Sequence, residues 1–415
     1  SDLYRFYEGL TWMIESHRKW FILFIVFLSG AFMIGMNTYS FGLFIEPLES
    51  DFNWTREEIS LGYAVSIFSS LLAPVVGRLV DIRGSKLVLI ISLFLVAIGF
   101  GLRPFMGNIY HWIILNSLVF AGFPGILMIT GVLIQEWFPK SKGRMLGIAM
   151  AGNNFGGLTI PFLTFYLINN FGWDTAYLIY GILVFALAIM GILLLKNSPP
   201  AINNSLIQKN YEGNKTGWNT SLALRSTQFY TLALGITFAC FTYNAIMPQL
   251  IPHLTTEGLS TTSATIAVSY IAVMGMASKY IFGRLSENFS SLTLMALSVA
   301  IQGISLLVIL LAFGNPIVIW VGVFIFGLGF GGLGVLIILT ITECFGLKSF
   351  STLYGLVSLL GIWATFLAPW MMGRLFDNTS SYRLGHFIVV IGFGLGISFL
   401  MATRMINKNR NFLGD

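Results

Sequence analysis

The sequence predicts an all-α polytopic membrane protein in which twelve transmembrane helices form two related six-helix bundles. Of its 415 residues, 56% are hydrophobic and only 10% are charged, whereas charged residues make up about 25% of an average soluble domain. Apolar runs of about 20 residues, the length that crosses a bilayer, recur along the whole chain. Short motifs of the first half also return in the second half.

The apolar runs, separated by turn residues, place twelve helices, which we number helix 1 to helix 12. Positions 288–342 contain no Asp, Glu, Lys or Arg, and Gly314, Asn315 and Pro316 divide this stretch into two spans. Pro161 and Pro369 are expected to bend helices 5 and 11. The predicted spans are 20–45, 57–80, 86–103, 112–136, 144–170, 175–195, 227–252, 261–283, 291–312, 316–342, 349–373 and 384–404.

The remaining segments complete the domain plan. Apolar residues recur at helical spacing in residues 1–19, which predicts an amphipathic helix on the inner membrane surface. An N-terminal bundle at 20–195 and a C-terminal bundle at 227–404 are joined by residues 196–226, a polar stretch with two adjacent prolines that we interpret as a cytoplasmic linker. Residues 405–415 form a cytoplasmic tail.

The distribution of Lys and Arg predicts the orientation, because cytoplasmic loops carry an excess of both residues. If the termini are cytoplasmic, the outer segments hold only Arg56, Arg103, Arg374 and Arg383, while the inner segments hold nearly all the others. Both termini are therefore expected in the cytoplasm. A plasma membrane or bacterial inner membrane is the default location, with an organelle left open.

Composition also excludes several classes of function. The net charge of +6 does not indicate a nucleic-acid partner, since the basic residues lie in short loops between apolar runs. Cys240 and Cys344 both lie in apolar stretches and form no metal-binding or disulfide pattern. No nucleophile, metal-ligand or phosphate-loop constellation predicts an enzyme, a cofactor or a metal site. We expect a monomer in the lipid bilayer.

The two halves share four motifs in register, which predicts a parallel duplication. Residues 76–81 (VGRLVD) return as 282–287 (FGRLSE), at the inner ends of helices 2 and 8. Glu136 at the end of helix 4 returns as Glu343 at the end of helix 10. Thr38 and Tyr39 of helix 1 match Thr242 and Tyr243 of helix 7, and a Gly and a Pro fourteen apart, Gly147 with Pro161 and Gly355 with Pro369, recur in helices 5 and 11.

Residues 77–86 (GRLVDIRGSK) resemble the loop 2–3 signature of the major facilitator superfamily. Two further stretches resemble its monocarboxylate and oxalate–formate porter group: residues 39–56 (YSFGLFIEPLESDFNWTR) and residues 137–152 (WFPKSKGRMLGIAMAG). The resemblance implies a secondary active transporter that moves a small organic anion, in the first place a monocarboxylate, by alternating access. Coupling to protons is a further expectation, which the departures described below put in doubt.

Charged residues at the inner helix ends are the expected gate. The Asp81 carboxylate can interact favourably with the positive N-terminal end of another helix. The family resemblance implies that this helix is helix 11. Arg83 and Arg144 are expected to pair with Glu136, and the repeat adds Arg284 and Glu343. The alternative is that these charges only orient the loops.

Lys279 is the basic residue that falls well inside a helix, four residues before Gly283. A Lys at the centre of a membrane helix costs about 2.5–3.5 kcal/mol, and in the porter group an Arg at this spacing binds the substrate carboxylate. Lys279 could instead extend to the inner headgroups. The other expected substrate-binding residues are polar groups at comparable depth: Asn37, Tyr39, Asn153, Asn154, Tyr243, Asn244 and Tyr270.

Two departures from the porter group limit these expectations. The Asp that the group often places one turn before its Arg, to which proton coupling is assigned, is Gly275 here. Residues 349–373 contain no Lys or Arg, so the second cation of the oxalate porters is missing. The alternatives left open are a carrier for another small solute, such as an amino acid or a drug-like compound, and a non-transporting sensor of the same fold.

Overall fold

The computed structural model describes the backbone of residues 2–195 and 217–413. Within these ranges the regular structure is helical, with no β-strand. The chain divides into two compact units: unit 1 comprises Ser1–Gly217 and Leu347–Gly355, and unit 2 comprises Trp218–Gly346 and Leu356–Asp415. The break at 217 and 218 falls inside the predicted linker, 196–226, of which residues 196–216 lie outside the described ranges.

Unit 1 contains helices 1 to 6. Helix 1 continues beyond its long α-helical part through a π-helical turn, a 3₁₀ turn and a short α-helix, and helix 2 is interrupted once. The bounds are Asp2–Ile34, Gly35–Tyr39, Phe41–Phe44 and Ile45–Phe52 for helix 1; Arg56–Ala64 and Ile67–Arg83 for helix 2; Ser85–Gly101 for helix 3; Ile109–Trp137 for helix 4; Lys142–Phe171 for helix 5; and Trp173–Leu194 for helix 6.

Unit 2 contains helices 7 to 10, most of helix 11, and helix 12. Helix 7 contains a π-helical turn, and helices 10 and 11 are each interrupted at a glycine. The bounds are Thr227–Ala239, Thr242–Ile246 and Met247–Thr256 for helix 7; Thr261–Leu285 for helix 8; Ser291–Leu310 for helix 9; Pro316–Phe330 and Gly332–Phe345 for helix 10; Phe350–Leu360 and Ile362–Thr379 for helix 11; and Arg383–Leu413 for helix 12.

Local sequence explains several helix ends. Thr55 caps the start of helix 2, where its hydroxyl accepts from the Glu58 amide while the Glu58 carboxylate accepts from the Thr55 amide, the reciprocal arrangement of a capping box. Asn108 caps helix 4. Gly84 and Gly172, with φ of 85° and 90°, end helices 2 and 5 in a conformation that glycine adopts without a Cβ clash.

Every predicted span has a helix in the structure. Among the described residues, nine helices are long and apolar enough to cross a membrane, and the bent pair of helix 11 makes ten. Helices 5 and 7 complete the twelve. Helix 5 carries two adjacent asparagines and several glycines, and helix 7 is divided by its π turn, so these two helices give a weaker hydropathy signal.

The structure differs from the sequence prediction in two places. The segment 1–19 is not separated from helix 1, because one helix runs without a break over Asp2–Ile34; the side chains of residues 2–16 are outside the described part. Helix 11 is interrupted at Gly361, its second part continues through Pro369, and helix 5 continues through Pro161. A helix can retain a proline when neighbouring groups compensate for the lost hydrogen bond, so the bends expected at Pro161 and Pro369 stay predictions.

Glycines allow helices 1 and 5 to cross at close range. A Cβ on Gly152 would press on the carbonyl of Phe27, and a Cβ on Gly156 would press on the carbonyl of Ala31. Small residues at such crossings let two backbones approach in a membrane, where apolar burial gives no net attraction between helices. This crossing lies directly beside the polar residues of helices 1 and 5.

Candidate functional site

Helices 1 and 7, the first helices of the two sequence repeats, each contain one π-helical turn. The turns cover Gly35–Tyr39 and Thr242–Ile246, and they hold the matched pairs of Thr and Tyr. A π turn leaves backbone groups partly unsatisfied and is frequent at functional sites. The repeat therefore preserves an irregular backbone at one position of each unit, which hydropathy alone did not predict.

In unit 1, the candidate polar residues line the contact of helices 1 and 5. Asn37 is buried, with 2% of its surface exposed, and its Nδ2 has no hydrogen-bond partner among the described residues. Tyr39 is 40% exposed, and its ring lies over Gly157. The amide of Asn153 fills the space over Gly30, and Asn154 is buried on the next position. The structure thus brings these four predicted residues to one helix pair.

The buried amide of Asn37 is the strongest ligand candidate in unit 1. A buried amide donor without a partner costs about 1–3 kcal/mol relative to a satisfied one. The carbonyl of Asn153, in contrast, is used to pack against a glycine of helix 1. Asn37 and the exposed phenol of Tyr39 are therefore better placed to meet a solute than Asn153.

In unit 2, Lys279 lies on the buried face of helix 8. Only 6% of its surface is exposed, and it shares this face with Ile271, Gly275 and Phe282. Its burial distinguishes it from basic residues at the helix ends, such as Arg284 five residues closer to the inner end, whose side chain is 54% exposed. Lys279 is thus a cation held within a span.

Gly275, one turn before Lys279, is a helix-crossing residue. A Cβ on Gly331 of helix 10 would press on the carbonyl of Gly275, so helices 8 and 10 touch backbone to backbone where helix 10 is interrupted. The neighbouring Phe330 packs against Tyr243, with ring centroids 5.5 Å apart. Because Phe330 directly precedes Gly331, Tyr243 of the π turn packs beside the crossing that contains Gly275. A carboxylate at position 275 would not fit this crossing.

Tyr270 is not brought together with Lys279. Nine residues separate them on helix 8, which places them on opposite faces. The Tyr270 ring contacts Trp320 and Phe324 of helix 10 and borders an apolar groove of about 550 Å³. This location assigns Tyr270 to helix packing. The side chain of Asn244, in the π turn of helix 7, lies outside the described part of the chain.

Asp81 accepts three hydrogen bonds from the start of helix 11, all within unit 1. The donors are the amide of Ser351 at 3.3 Å, the amide of Thr352 at 2.9 Å and the hydroxyl of Thr352 at 2.6 Å. Gly77 and Gly355 allow this approach, because a Cβ on either would press on a carbonyl of the opposite helix. The contact that the sequence suggested for Asp81 is present.

The other predicted gate residues have different surroundings. Glu343 accepts from the Ser290 hydroxyl and the Ser291 amide, both at 2.6 Å, at the start of helix 9. Arg284 pairs locally with Glu287 at 2.7 Å. Glu136 and Arg144 are half-buried, whereas Arg83 is exposed and forms no ion pair with another described residue. The expected pair of Arg83 with Glu136 is therefore absent, because the Arg83 side chain extends into solvent.

Unit 2 also contains a buried polar cluster that sequence reasoning missed. The guanidinium of Arg383 binds Glu257 through two hydrogen bonds of 2.7 and 2.9 Å. Beside this ion pair, the rings of His253 and His386 stack with their centroids 4.1 Å apart. The sequence carried a signal: His253 and Glu257 lie four residues apart at the end of helix 7, and Arg383 and His386 lie three apart at the start of helix 12.

Comparisons with known proteins agree with this architecture. A family model of the Major Facilitator Superfamily matches residues 27–369. Human monocarboxylate transporter 2 is 24% identical, over 94% of this chain and 87% of its own length. The multi-drug resistance efflux pump PmrA of Streptococcus pneumoniae is 29% identical, over 78% of this chain and 79% of its own.

Solved structures share the fold. The proton:xylose symporter XylE bound to 6-bromo-6-deoxy-D-glucose superposes with a TM-score of 0.75 at 15% identity, covering 94% of this chain and 96% of the XylE chain. The twelve-helix fold and the integral, multi-pass membrane location are thereby confirmed. Because the family model spans most of the sequence and the fold matches over nearly the full chain, the protein belongs to the Major Facilitator Superfamily of transporters.

Proposed function

We propose that the chain is a secondary active transporter that carries a small organic anion, in the first place a monocarboxylate, across the membrane by alternating access. The observation that carries the proposal is the burial of Lys279 on the buried, protein-facing side of helix 8. A cation inside a span is retained at a cost of several kcal/mol only where it has a function or a partner. A carboxylate is the solute group that this charge would attract.

The proposed binding site uses few polar groups. Lys279 would bind the carboxylate as a point charge, which suits one carboxylate better than the two of oxalate. Tyr243, in the π turn of helix 7, is the proposed neutral contact in the same unit, and Asn37 and Tyr39, in the π turn of helix 1, stay predicted solute ligands of unit 1. The similarity to human monocarboxylate transporter 2 supports this substrate class.

Asp81 is the proposed gate residue at the inner ends of the helices. The hydrogen bonds from the first amides of helix 11 to Asp81 join the two sequence repeats. A hydrogen bond to a charged group stabilises a structure by about 1.5–3 kcal/mol. Interactions of this size can favour one state of a transport cycle without trapping it. We propose cytoplasmic termini, a plasma or bacterial inner membrane location and a monomeric carrier.

A second candidate function is efflux of a drug-like compound, which the similarity to PmrA supports. The two candidates differ in the charge of the solute. A positively charged drug would be repelled by Lys279, whereas an anion would not.

Thermal stabilisation of the purified protein tests the proposal. The panel would contain lactate, pyruvate, oxalate, neutral amino acids and organic cations, each applied to the parent protein, Lys279→Gln and Lys279→Arg. A ligand at 100 times its dissociation constant stabilises by about 2.7 kcal/mol. We expect short monocarboxylates to stabilise the parent and Lys279→Arg, but not Lys279→Gln.

Lys348→Gln is the matched control, since Lys348 is an exposed cation and its loss changes net charge by the same amount. It should respond as the parent does. Stabilisation by organic cations alone, or an equal response of the parent and Lys279→Gln, would contradict the anion site.

A further inference from the structure

The most unusual polar group outside the proposed solute site is the stacked histidine pair of unit 2. His253 and His386 are fully buried, and their rings lie 4.1 Å apart at an interplanar angle of 28°. Both ring nitrogens of His253 and Nε2 of His386 have no hydrogen-bond partner among the described residues. Only Nδ1 of His386 has one, the carbonyl of Tyr382 at 3.0 Å. Unsatisfied buried polar atoms are rare enough to require an explanation.

The pair lies beneath an ion pair that reaches solvent. The side chain of Arg383 is 39% exposed while that of Glu257 is 7% exposed, so the guanidinium reaches solvent and the carboxylate is buried. Arg383 also donates to the carbonyl of Leu310 and lies over the ring of Phe313. These two contacts of Arg383 at the end of helix 9 do not involve Glu257.

Among the described residues, Arg383 and Glu257 are the charged groups that act on the imidazoles. His253 is within electrostatic reach of Arg383, and His386 is within reach of Glu257. Residues 258–278, which include the first part of helix 8, and residues 288–342, which include helix 9, contain no Asp, Glu, Lys or Arg. The ring of Tyr382 packs on Phe376 of helix 11. Arg374 of helix 11 is exposed over Trp370, and the side chain of Asp377 is outside the described part.

We propose that the two stacked imidazoles, together with the Glu257–Arg383 ion pair, form a proton-binding site that couples proton movement to the transport cycle. This inference rests on the proposed transport function for its coupling step. A proton from the aqueous phase adds to Nε2 of His386, and the resulting imidazolium replaces Arg383 as the partner of the Glu257 carboxylate. Arg383 keeps its contacts at the end of helix 9, and the link between helices 7 and 12 is loosened.

The charges explain why the site would respond to a proton. With neutral imidazoles, Glu257 and Arg383 neutralise each other and hold the ends of helices 7 and 12 together. A buried imidazolium beside Arg383 would be repelled unless it gained the carboxylate, so protonation and breakage of the ion pair are linked. The site also supplies a titratable group to a chain that has Gly275 where an Asp would couple protons in the porter group that it resembles.

Proton binding can be measured without knowing the solute. The chain has only four histidines, so protein labelled at histidine with ¹³C and ¹⁵N gives an assignable spectrum, with His253→Phe and His386→Phe as assignment variants that preserve ring stacking. We expect the His253 and His386 signals to titrate together between about pH 3 and pH 8, and the midpoint to move in Glu257→Gln. Signals that stay constant over this range in both proteins would overturn the proposal.

Coupling is tested by transport in proteoliposomes with labelled lactate as the probe. A coupled proton gradient of one pH unit supports about tenfold accumulation. His386→Phe is expected to lose gradient-driven accumulation while retaining lactate exchange at equal pH, and the exposed His111 provides a matched control, His111→Phe. Full accumulation by His386→Phe would refute the coupling role. A parent protein that neither accumulates nor exchanges lactate would overturn the proposed substrate and leave the titration to decide the proton site.

Discussion

Two carboxylates at inner helix ends, Asp81 and Glu343, accept hydrogen bonds from the first amides of another helix. They differ in what they join. Asp81 belongs to the first sequence repeat and binds helix 11 of the second, whereas Glu343 binds helix 9 of its own repeat. At the residue scale, the same interaction is therefore expected to serve a gate in one case and a helix cap in the other.

We predict that Asp81→Asn slows transport by about tenfold or more while the protein is still expressed and folded. The neutral amide keeps the size of the side chain but loses charge-assisted bonds worth about 1.5–3 kcal/mol. Initial rates of uptake in proteoliposomes measure the effect, with the exposed Arg78, one turn away on helix 2, changed to Gln as a control. Full-rate transport by Asp81→Asn would remove the gate proposal.

Glu343→Gln should instead reduce stability. The cap at the start of helix 9 is worth about 1 kcal/mol, so its weakening is expected to lower the thermal unfolding midpoint by a few degrees without a comparable loss of uptake rate. A variant with normal melting but impaired transport would indicate that Glu343 acts in the gate.

Arg103 shows how far a buried cation can be accommodated by aromatic rings. Its guanidinium lies 4.4 Å from the ring centre of Tyr177, 4.7 Å from Phe100 and 4.8 Å from Trp112, and it donates to Asn116. We predict that Arg103→Lys destabilises unit 1 by about 2–4 kcal/mol, because an ammonium cannot face three rings and hold this hydrogen bond together.

The thermal unfolding midpoint of Arg103→Lys, compared with that of the control variant Arg374→Lys, checks this prediction. Arg374 is exposed and faces one ring, that of Trp370, at 5.6 Å, so its replacement should leave the midpoint nearly unchanged. Equal midpoints for both variants would show that the aromatic surroundings of Arg103 contribute little.

At the scale of single helices, irregular backbone occurs in helices 1, 2, 7, 10 and 11. Non-helical backbone at membrane depth is tolerated only where protein or a water-filled cavity covers it, and transporters place it near their solute sites. The two π turns and the break of helix 10 lie beside Asn37, Tyr243 and Gly275, respectively. Asn37, Tyr39 and Tyr243 thus lie in elements that depart from regular helix, whereas Lys279 lies in the unbroken helix 8.

The crossing of helices 1 and 5 supplies a prediction about packing. Gly156→Ala would bring a methyl group against the Ala31 carbonyl, and overpacking of this kind costs about 1–3 kcal/mol. Gly394→Ala in helix 12 meets nothing within 4 Å and should be neutral or slightly stabilising. The thermal unfolding midpoints of the two variants, measured in parallel, test the close approach of helices 1 and 5. Equal midpoints would contradict it.

For the whole molecule, the orientation remains a prediction from the loop charges. Gly107 lies in the loop between helices 3 and 4, and Lys140 lies in the loop between helices 4 and 5. Both positions are exposed and lie at opposite ends of helix 4, so a single cysteine can be introduced at each. In intact cells, a membrane-impermeant maleimide is expected to label the cysteine at position 107 and not the one at 140. The reverse pattern would place both termini outside.

The sequence by itself determined the membrane character, the twelve spans, the duplication and the family. Each of these depends on local hydropathy or on motifs that recur in order, and both are readable without contacts. It also pointed to Asp81 and Lys279, because a charge in an apolar run stands out. The likeness of the two Tyr positions in helices 1 and 7 was equally visible, although not the π turns that hold them.

Only the tertiary structure decided which faces and partners these residues have. It assigned Tyr270 to the packing of helices 8 and 10, left Arg83 in solvent, placed a break in helix 11 at Gly361, and joined His253 and His386 across 133 positions of sequence. Such pairings depend on how distant helices cross, and the crossings are set by glycines and side-chain shapes on both helices at once. Hydropathy records that a residue is in a helix, not what lies against it.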